Sequence, residues 1–450
     1  MTRALPWALV LLAAALRFPG LSWGLRHVPV HDERVFVENA WAMLEHGSLD
    51  HRFYEYPGLF FVLLLPALAL VFREGALPGP GAYLAARATV AALGVVGVWL
   101  MYRLALRLAG PVAAAAAGLV LAVSPLAVRT AHMVRPDVAL AVAVLLALDA
   151  ITRDAPARLT GAALGAAAAV KFTGIALWPV PLARRLAIGG RPALAALGVA
   201  LLVLLVFVWP LAVRPHEFLD GVAAQQRFHH ERSTDLWTHA KVAAFYARSA
   251  LVALGPAAAV LAVAGVWLTR ARWREWWPLL LYPVVLVALL STAWIGYDRH
   301  LLPALPIALL FAAFALRVVA GRNRVAALSL VALAGLWPAV ASVRYVASVC
   351  RPAGYDRALD WIEAHARPGA RVFLAEDRLG IDGSRFTVWR PTGSAAFDRV
   401  RALQADVVAT RPDDPLAAGL TRVFEAERDD PPTWRPLALF TVPPHLRPAP

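Results

Sequence analysis

Cysteine is nearly absent: Cys350 is the single thiol in 450 residues. No internal disulfide framework can hold the fold, and thiol usage does not decide the redox compartment. Lysine is almost as scarce, with only Lys171 and Lys241, so nearly all of the 44 basic residues are arginines. Charge of either sign is thin. Asp, Glu, Lys and Arg make up 16% of the chain, where about a quarter is usual for a soluble domain. The segment after Cys350 has neither a nucleotide-binding glycine loop nor metal-ligand spacing. What fills the space is apolar, at 60% of all positions, and stretches of the roughly 20 residues needed to cross a hydrocarbon core of about 30 Å recur as far as Tyr345. The solvent for most of this chain is a bilayer. The net charge of +14 lies largely in short loops between apolar runs, where arginine orients helices; this excludes nucleic acid as the partner.

Candidate spans run over about 5–23, 82–107, 111–127, 134–152, 159–170, 172–183, 192–213, 242–269, 276–295, 301–319 and 325–347. The first begins at the N-terminus without a small-residue cleavage site at the usual distance, so it reads as an uncleaved helix. The runs 159–170 and 172–183 are too short to cross alone. Arg153 and Arg158 precede the pair and Arg184, Arg185 and Arg191 follow it, so the positive-inside rule makes it a hairpin with Lys171 near its tip. Gly58 to Phe72 is also short and reads as a juxtamembrane or re-entrant segment. The expectation is therefore an α-helical polytopic membrane domain over 1–349, with about eleven spans, the N-terminus inside and the C-terminus outside. External loops cover 24–57 and 214–240, and a small extracytoplasmic α/β domain covers 350–450. In that last segment helices are expected at 356–366 and 395–404, and strands at 371–375, 407–410 and 437–442. On this layout the acids pool on the external face, opposite the arginines.

Few residues carry chemistry, and most of them are ionisable groups near that face. Asp32 and Glu33, in His31-Asp32-Glu33, open a helix-like stretch. Adjacent carboxylates there can take a proton from a hydroxyl or hold a divalent cation, while Asp32 alone also suits a helix N-cap. Glu55 and Tyr56 lie in Tyr54-Glu55-Tyr56-Pro57; an interfacial aromatic belt accounts for the tyrosines but not for Glu55. Asp137, in Arg135-Pro136-Asp137, stands at a helix start, where it also complements the helix dipole. Lys171, in Lys171-Phe172-Thr173-Gly174, is a cation among apolar residues and calls for an anionic partner, either a phosphate or one of these acids. Arg299 and His300 follow Asp298, and Arg299 suits either a phosphate or its neighbour. His229-His230-Glu231-Arg232 resembles a metal site only superficially.

In this order the motifs resemble the GT-C glycosyltransferases that use polyprenyl-phosphate-linked sugars, especially the group containing protein O-mannosyltransferases and the bacterial lipid A aminoarabinose transferase. The resemblance covers about Leu5 to Val319. It implies that Asp32 is the catalytic base, that Glu33 orients acceptor or donor, and that Asp137 is the second acid of the site. Lys171 and Arg299, with His300, Glu55 and Tyr56 nearby, would bind the donor and its phosphate. A divalent cation, Mg or Mn, held by Asp32 and Asp137 is a further possibility under this resemblance. Tyr56 stands where aminoarabinose transferases have Lys, and Gly58 where many relatives have a second Pro; the first departure argues against aminoarabinose as the sugar.

The expected function is an inverting transfer of a sugar from a polyprenyl-phosphate donor to a hydroxyl of a protein, lipid or polysaccharide acceptor, on the extracytoplasmic face of the plasma membrane. Two alternatives remain open. A transporter or lipid flippase would place ionisable groups near the midplane and often carries internal repeats; here the acids gather at one face and no repeat relates the halves. A non-catalytic envelope subunit would bind donor without transferring it.

Overall fold

The structure, a computed structural model, describes residues 4–25, 31–189, 192–230, 235–352, 354–375, 385–390, 392, 395–410, 414–418, 420–425 and 438–443. It divides into two compact units, one of 1–18 and 32–344, the other of 19–31 and 345–450.

The first unit is helical. In chain order its helices are α1 (Leu5–Ala15), α2 (His31–Glu45), α3 (Leu59–Ala69), α4 (Pro80–Ala109), α5 (Pro111–Val123), α6 (Pro125–Ala131), α7 (Asp137–Thr152), α8 (Ala157–Val170), α9 (Pro179–Ile188), α10 (Ala193–Phe207), the single turn α11 (Pro210–Val213), α12 (Pro215–His230), α13 (Leu236–Leu254), α14 (Pro256–Leu268), α15 (Trp273–Ser291), α16 (Leu305–Arg322) and α17 (Arg324–Val349). Short 3₁₀ segments at Phe172–Leu177 and Asp298–Ala304 join α8 to α9 and lead into α16.

Proline and glycine punctuate this order. Gly110, at φ +88°, ends α4, and Pro111 begins α5; glycine tolerates the left-handed backbone, and proline suits a first turn whose N–H has no partner. The same device at Gly255-Pro256 divides the expected span 242–269 into α13 and α14, which meet at 108°. Ser124-Pro125 bends α5 against α6 by 52°. By length and composition, four helices among the described residues can cross a bilayer, or six if each bent pair is one span. Eleven crossings stay an expectation. Several of the spans counted in it, such as α1, α8 and α10, are apolar helices of 10–17 residues.

Breaking a helix in an apolar medium frees carbonyls that no water can reach, and something must satisfy them. At Ser124-Pro125 the buried guanidinium of Arg17 donates to Leu121 O at 3.0 Å and Ala122 O at 2.8 Å, and Ser342 Oγ donates to Val123 O at 2.8 Å. The Ser124 hydroxyl itself donates to Ala253 O at 2.8 Å, near the other break.

Small residues set the helix spacing. On α8, Gly161 and Gly165 lie so close to α10 that an added Cβ would meet Ala196 O at 2.4 Å and Ala200 O at 2.6 Å. Two glycines four apart present a flat strip on which another backbone can lie. The chain then turns back at Lys171, and Gly174 sits where a Cβ would fall 2.3 Å from Ala167 O.

The second unit holds α18 (Gly354–His365), α19 (Ala395–Gln404) and five strands: β1 (Arg371–Leu374), β2 (Thr387–Trp389), β3 (Val407–Thr410), β4 (Thr421–Glu425) and β5 (Ala438–Thr441). Their order is β2-β1-β3-β5-β4, parallel across β2, β1 and β3 and antiparallel across β3, β5 and β4. Ala358 and Ile362 of α18 pack with Val372, Leu374, Val407 and Leu439, and Trp23 and Val349 join that core.

Gly161→Ala forces a Cβ into the α10 backbone. A loss of about 1–3 kcal/mol is expected, the usual cost of overpacking, read as a lower unfolding midpoint of the detergent-solubilised protein; Gly198→Ala, with open space around its Cβ position, serves as the neutral control.

Candidate active site

The site begins with Glu33. In the first turn of α2 its side chain is fully buried, takes both arms of Arg87 on α4 at 2.8 and 2.6 Å, and accepts from the Val134 amide at 2.9 Å. One carboxylate thus ties α2 to α4 and to the segment before α7. Its neighbour Asp32 meets Arg135 Nη2 at 2.9 Å and Arg299 Nη2 at 3.3 Å.

Asp137 stands in the first turn of α7, buried, and receives Lys171 Nζ at 2.7 Å. Lys171 reaches it because α8 stops there: its own backbone is extended, at φ −157° and ψ 133°. Arg299, on the 3₁₀ segment before α16, lies 3.9 Å from Asp137 through Nε and so touches both acids. The result is a row of alternating charge, Arg135, Asp32, Arg299, Asp137, Lys171. Three cations face two carboxylates, so the row as it stands carries one positive charge more than it neutralises. Arg135 Nε is buried without a hydrogen-bond partner among the described residues. The side chain of Asp32 is 34% exposed and that of Asp137 is 2% exposed, which leaves Asp32 as the acid of this row that a ligand can reach.

The residues expected to hold a divalent cation do not fit one. Asp32 and Asp137 are already committed to arginine and lysine, and among the described residues no group of three or more His, Cys, Asp or Glu converges.

Beside the row opens a cavity of about 260 Å³. Glu55, Tyr56, Lys171 and His300 line it. Burial raises the Glu55 carboxyl above the usual carboxylate range and pushes the Tyr56 phenol up, which holds Tyr56 neutral. The loop carrying these two residues is fixed on several sides. Tyr54 donates to Asp50 Oδ1 at 2.9 Å, Arg214 lies 3.8 Å from Asp50, and Gly58 donates its N–H to Phe207 O at 3.0 Å. Proline at 58 could not make that bond, and any Cβ there would fall 2.9 Å from Phe207 O, which favours glycine. His51 is buried, stacked on Phe61 at 4.4 Å, and accepts from the Phe53 N–H at 3.3 Å.

Sequence reasoning left 214–240 as a loop, yet α12 fills much of it. Gln225, Gln226, His229 and His230 on this helix also line the cavity. The signal was present in Pro215 at the helix start and in Phe218 and Val222, four residues apart. Glu231 and Arg232 of the suspected metal cluster lie outside the described residues. A second and larger hollow, an apolar groove of about 810 Å³, runs among α13, α14, α15 and α16, and Tyr246 lines both it and the polar cavity.

Apolar helices with broken ends, a charged row at the start of α2 and α7, and a small α/β unit define a polytopic membrane protein of the GT-C fold. Residues 79–214 match the family model described as dolichyl-phosphate-mannose-protein mannosyltransferase. The fold is similar over the whole of both chains to the crystal structure of ArnT from Cupriavidus metallidurans bound to undecaprenyl phosphate, with a TM-score of 0.59 and 16% identity. It is also similar to the archaeal oligosaccharyltransferase AglB from Archaeoglobus fulgidus in complex with an inhibitory peptide and a dolichol-phosphate. There the TM-score is 0.54 and the identity 13%, over 91% of this chain and 69% of that one. No curated protein matches by sequence.

His51 gives the loop a pH dependence. Burial lowers its imidazole from 6.5 to about 4, so between those values the unfolded chain binds the proton and the folded chain does not. Stability is full above pH 6.5 and falls as the pH drops towards 4, by up to about 3 kcal/mol. Unfolding midpoints measured across that window should slope downward in acid, and His51→Gln should flatten the slope.

Proposed function

We propose that this protein is a membrane glycosyltransferase that moves a sugar from a polyprenyl-phosphate donor to an acceptor hydroxyl, with inversion, at an extracytoplasmic site. The observation that carries this reading is the side-by-side placement of an apolar groove of about 810 Å³ and a smaller cavity with Lys171 in its wall, which share Tyr246 as a lining residue. A ligand matching that placement has a long apolar tail and an anionic head. The surplus cation of the row and the unpartnered Arg135 Nε suit a phosphate at the head.

The reaction follows from the charges. The acceptor oxygen bonds to the anomeric carbon as the bond from that carbon to the phosphate oxygen breaks, and Asp32 takes the hydroxyl proton. The departing polyprenyl phosphate gains negative charge, and Lys171 with Arg299 stabilises it as it develops. Glu33, fully enclosed by Arg87 and Val134, acts as a positioning residue that aims Asp32. Asp137 holds Lys171 and Arg299 in place. The acceptor is a protein, lipid or polysaccharide.

The arginine distribution supports the orientation. Asp137 of the site begins α7, while at its other end Asp149 pairs with Arg107 at 3.0 Å and Thr152 Oγ1 accepts from the same arginine at 2.6 Å. Sixteen residues of helix span about 24 Å. The arginine-rich loops and the site thus lie at opposite ends of one helix, as the positive-inside rule wants for a site outside the cytoplasm.

Asp32→Asn keeps shape and removes the base. Release of undecaprenyl phosphate from undecaprenyl-phosphate-linked sugars should fall about 10²- to 10⁴-fold, with the unfolding midpoint little changed. Full turnover in that variant would refute Asp32 as base.

A further inference from the structure

Besides an apolar face of Leu289, Leu290 and Ile295, the cavity has two polar walls of different chemistry. One carries Lys171 and joins the charged row. The other is the last turn and a half of α12, where Gln225, Gln226, His229 and His230 lie at spacings of one, four and five, which puts them on one side of the helix. Among the described residues this second wall has carboxamides and imidazoles and no carboxylate or ammonium. Its placement is fixed from behind. The Trp294 backbone N–H donates to His229 O at 3.1 Å and its indole N–H donates to Phe228 O at 2.7 Å, so two of the end carbonyls of α12 are capped by the segment after α15. His230 Nε2 lies 3.2 Å from Thr292 Oγ1, a further tie to that segment.

Within this wall the pairing is incomplete. The Gln225 amide nitrogen lies 3.1 Å from His229 Nε2. An amide N–H only donates, so Nε2 accepts and the ring proton sits on Nδ1. His229 Nδ1 is buried and has no hydrogen-bond partner among the described residues. A buried donor without an acceptor is costly unless a ligand oxygen meets it. Burial, then the positive charge of Lys171, keep this imidazole below its ordinary value, so it stays a neutral donor beside the row.

Resting on the glycosyltransferase reading, we infer that the α12 wall, through Gln225, Gln226 and His229, binds the hydroxyl groups of the transferred sugar and selects an uncharged, hydroxylated ring. Carboxamides offer a donor and an acceptor each, and His229 adds the Nδ1 donor left over once its Nε2 is taken by Gln225, a set that vicinal hydroxyls satisfy. Both ring nitrogens of His230 are engaged, by Gln226 O at 2.9 Å and Thr292 Oγ1 at 3.2 Å, so that ring serves as a fixed part of the wall. An ammonium-bearing sugar would find imidazole and amide donors on this wall and a lysine across from it. Glu55, partly buried, is the only carboxylate lining the cavity among the described residues. Discrimination by such a wall is strong, because a missing hydroxyl strands its buried partner.

The test separates head from sugar. Undecaprenyl phosphate, undecaprenyl-phosphate-linked mannose, glucose and arabinose, and undecaprenyl-phosphate-linked 4-amino-4-deoxyarabinose are titrated into the full-length protein in detergent. The wild type should bind at least one neutral sugar-lipid more tightly than the sugar-free lipid and than the amino sugar. Gln225→Ala and His229→Ala should each weaken that sugar-lipid about tenfold more than they weaken undecaprenyl phosphate, whose retained binding certifies the fold. Equal losses for both lipids, no loss for either, or preference for the amino sugar overturns the α12 assignment and leaves the glycosyltransferase reading standing. Failure of the wild type to bind any of the lipids removes that reading, and the assignment with it.

Discussion

A lysine and an aspartate buried together at the edge of an apolar helix bundle constrain this fold more than any other contact. Lys171 and Asp137 stand 2.7 Å apart with almost no exposure. Neither could be buried alone, because stripping one partner from such a pair leaves an uncompensated charge and typically costs about 3–5 kcal/mol. Several features follow from keeping them together. α8 must end at Lys171, the chain must fold back so tightly that position 174 admits only glycine, and α7 must begin at Asp137. Arg299 then has to come from elsewhere in the chain, since Asp137 is spent on Lys171 and Asp32 needs a second cation besides Arg135.

The same constraint, that polar groups in an apolar medium must be matched, also governs places far from the site. Arg17 and Ser342 serve carbonyls that the Ser124-Pro125 break sets free, and Glu33 with Arg87 is a closed bidentate pair. These contacts are structural, yet they decide function indirectly. A helix bundle held mainly by close backbone approach at Gly161, Gly165 and Gly265 has little polar surface to fix its register. The few charged anchors therefore determine how the starts of α2 and α7 align.

What could be read from the sequence follows from contrast. In a chain with 16% charged residues, an acid or a cation in or beside an apolar run stands out, and so Asp32, Glu33, Asp137, Lys171 and Arg299 were visible before any geometry. Arg87 and Arg17 had the same signal inside candidate spans, but neither shows its partner until the fold brings Glu33 and the α5 carbonyls close. Gln225 and Gln226 had no contrast at all, being neutral residues in a segment read as a loop. Hydropathy averages over about twenty residues, so it passed across Gly255-Pro256 and merged α13 with α14, although the dipeptide itself marks a turn. In the second unit, β1, β3 and β5 were visible as apolar runs. β2 has three residues, and β4 is an edge strand with a register shift at Arg422 and Phe424, too short or too irregular to give a period.

Three carboxylates cluster at the starts of α2 and α7, and their surroundings assign them different work. Glu33 has both oxygens engaged and no exposure, so it can neither meet an acceptor nor give up its partners without releasing α2. Asp137 is nearly as enclosed, and a proton placed on it would cancel the attraction that keeps Lys171 buried. Asp32 alone is partly open, and two guanidinium groups, Arg135 and Arg299, hold it. In the reaction proposed above, a proton taken up by Asp32 would loosen its hold on Arg299 at the moment when the leaving phosphate needs a cation. Under the proposed reaction the alternation of the row would couple deprotonation of the acceptor to stabilisation of the leaving group, because Arg299 is shared between the acid proposed to receive the proton and the acid that holds Lys171.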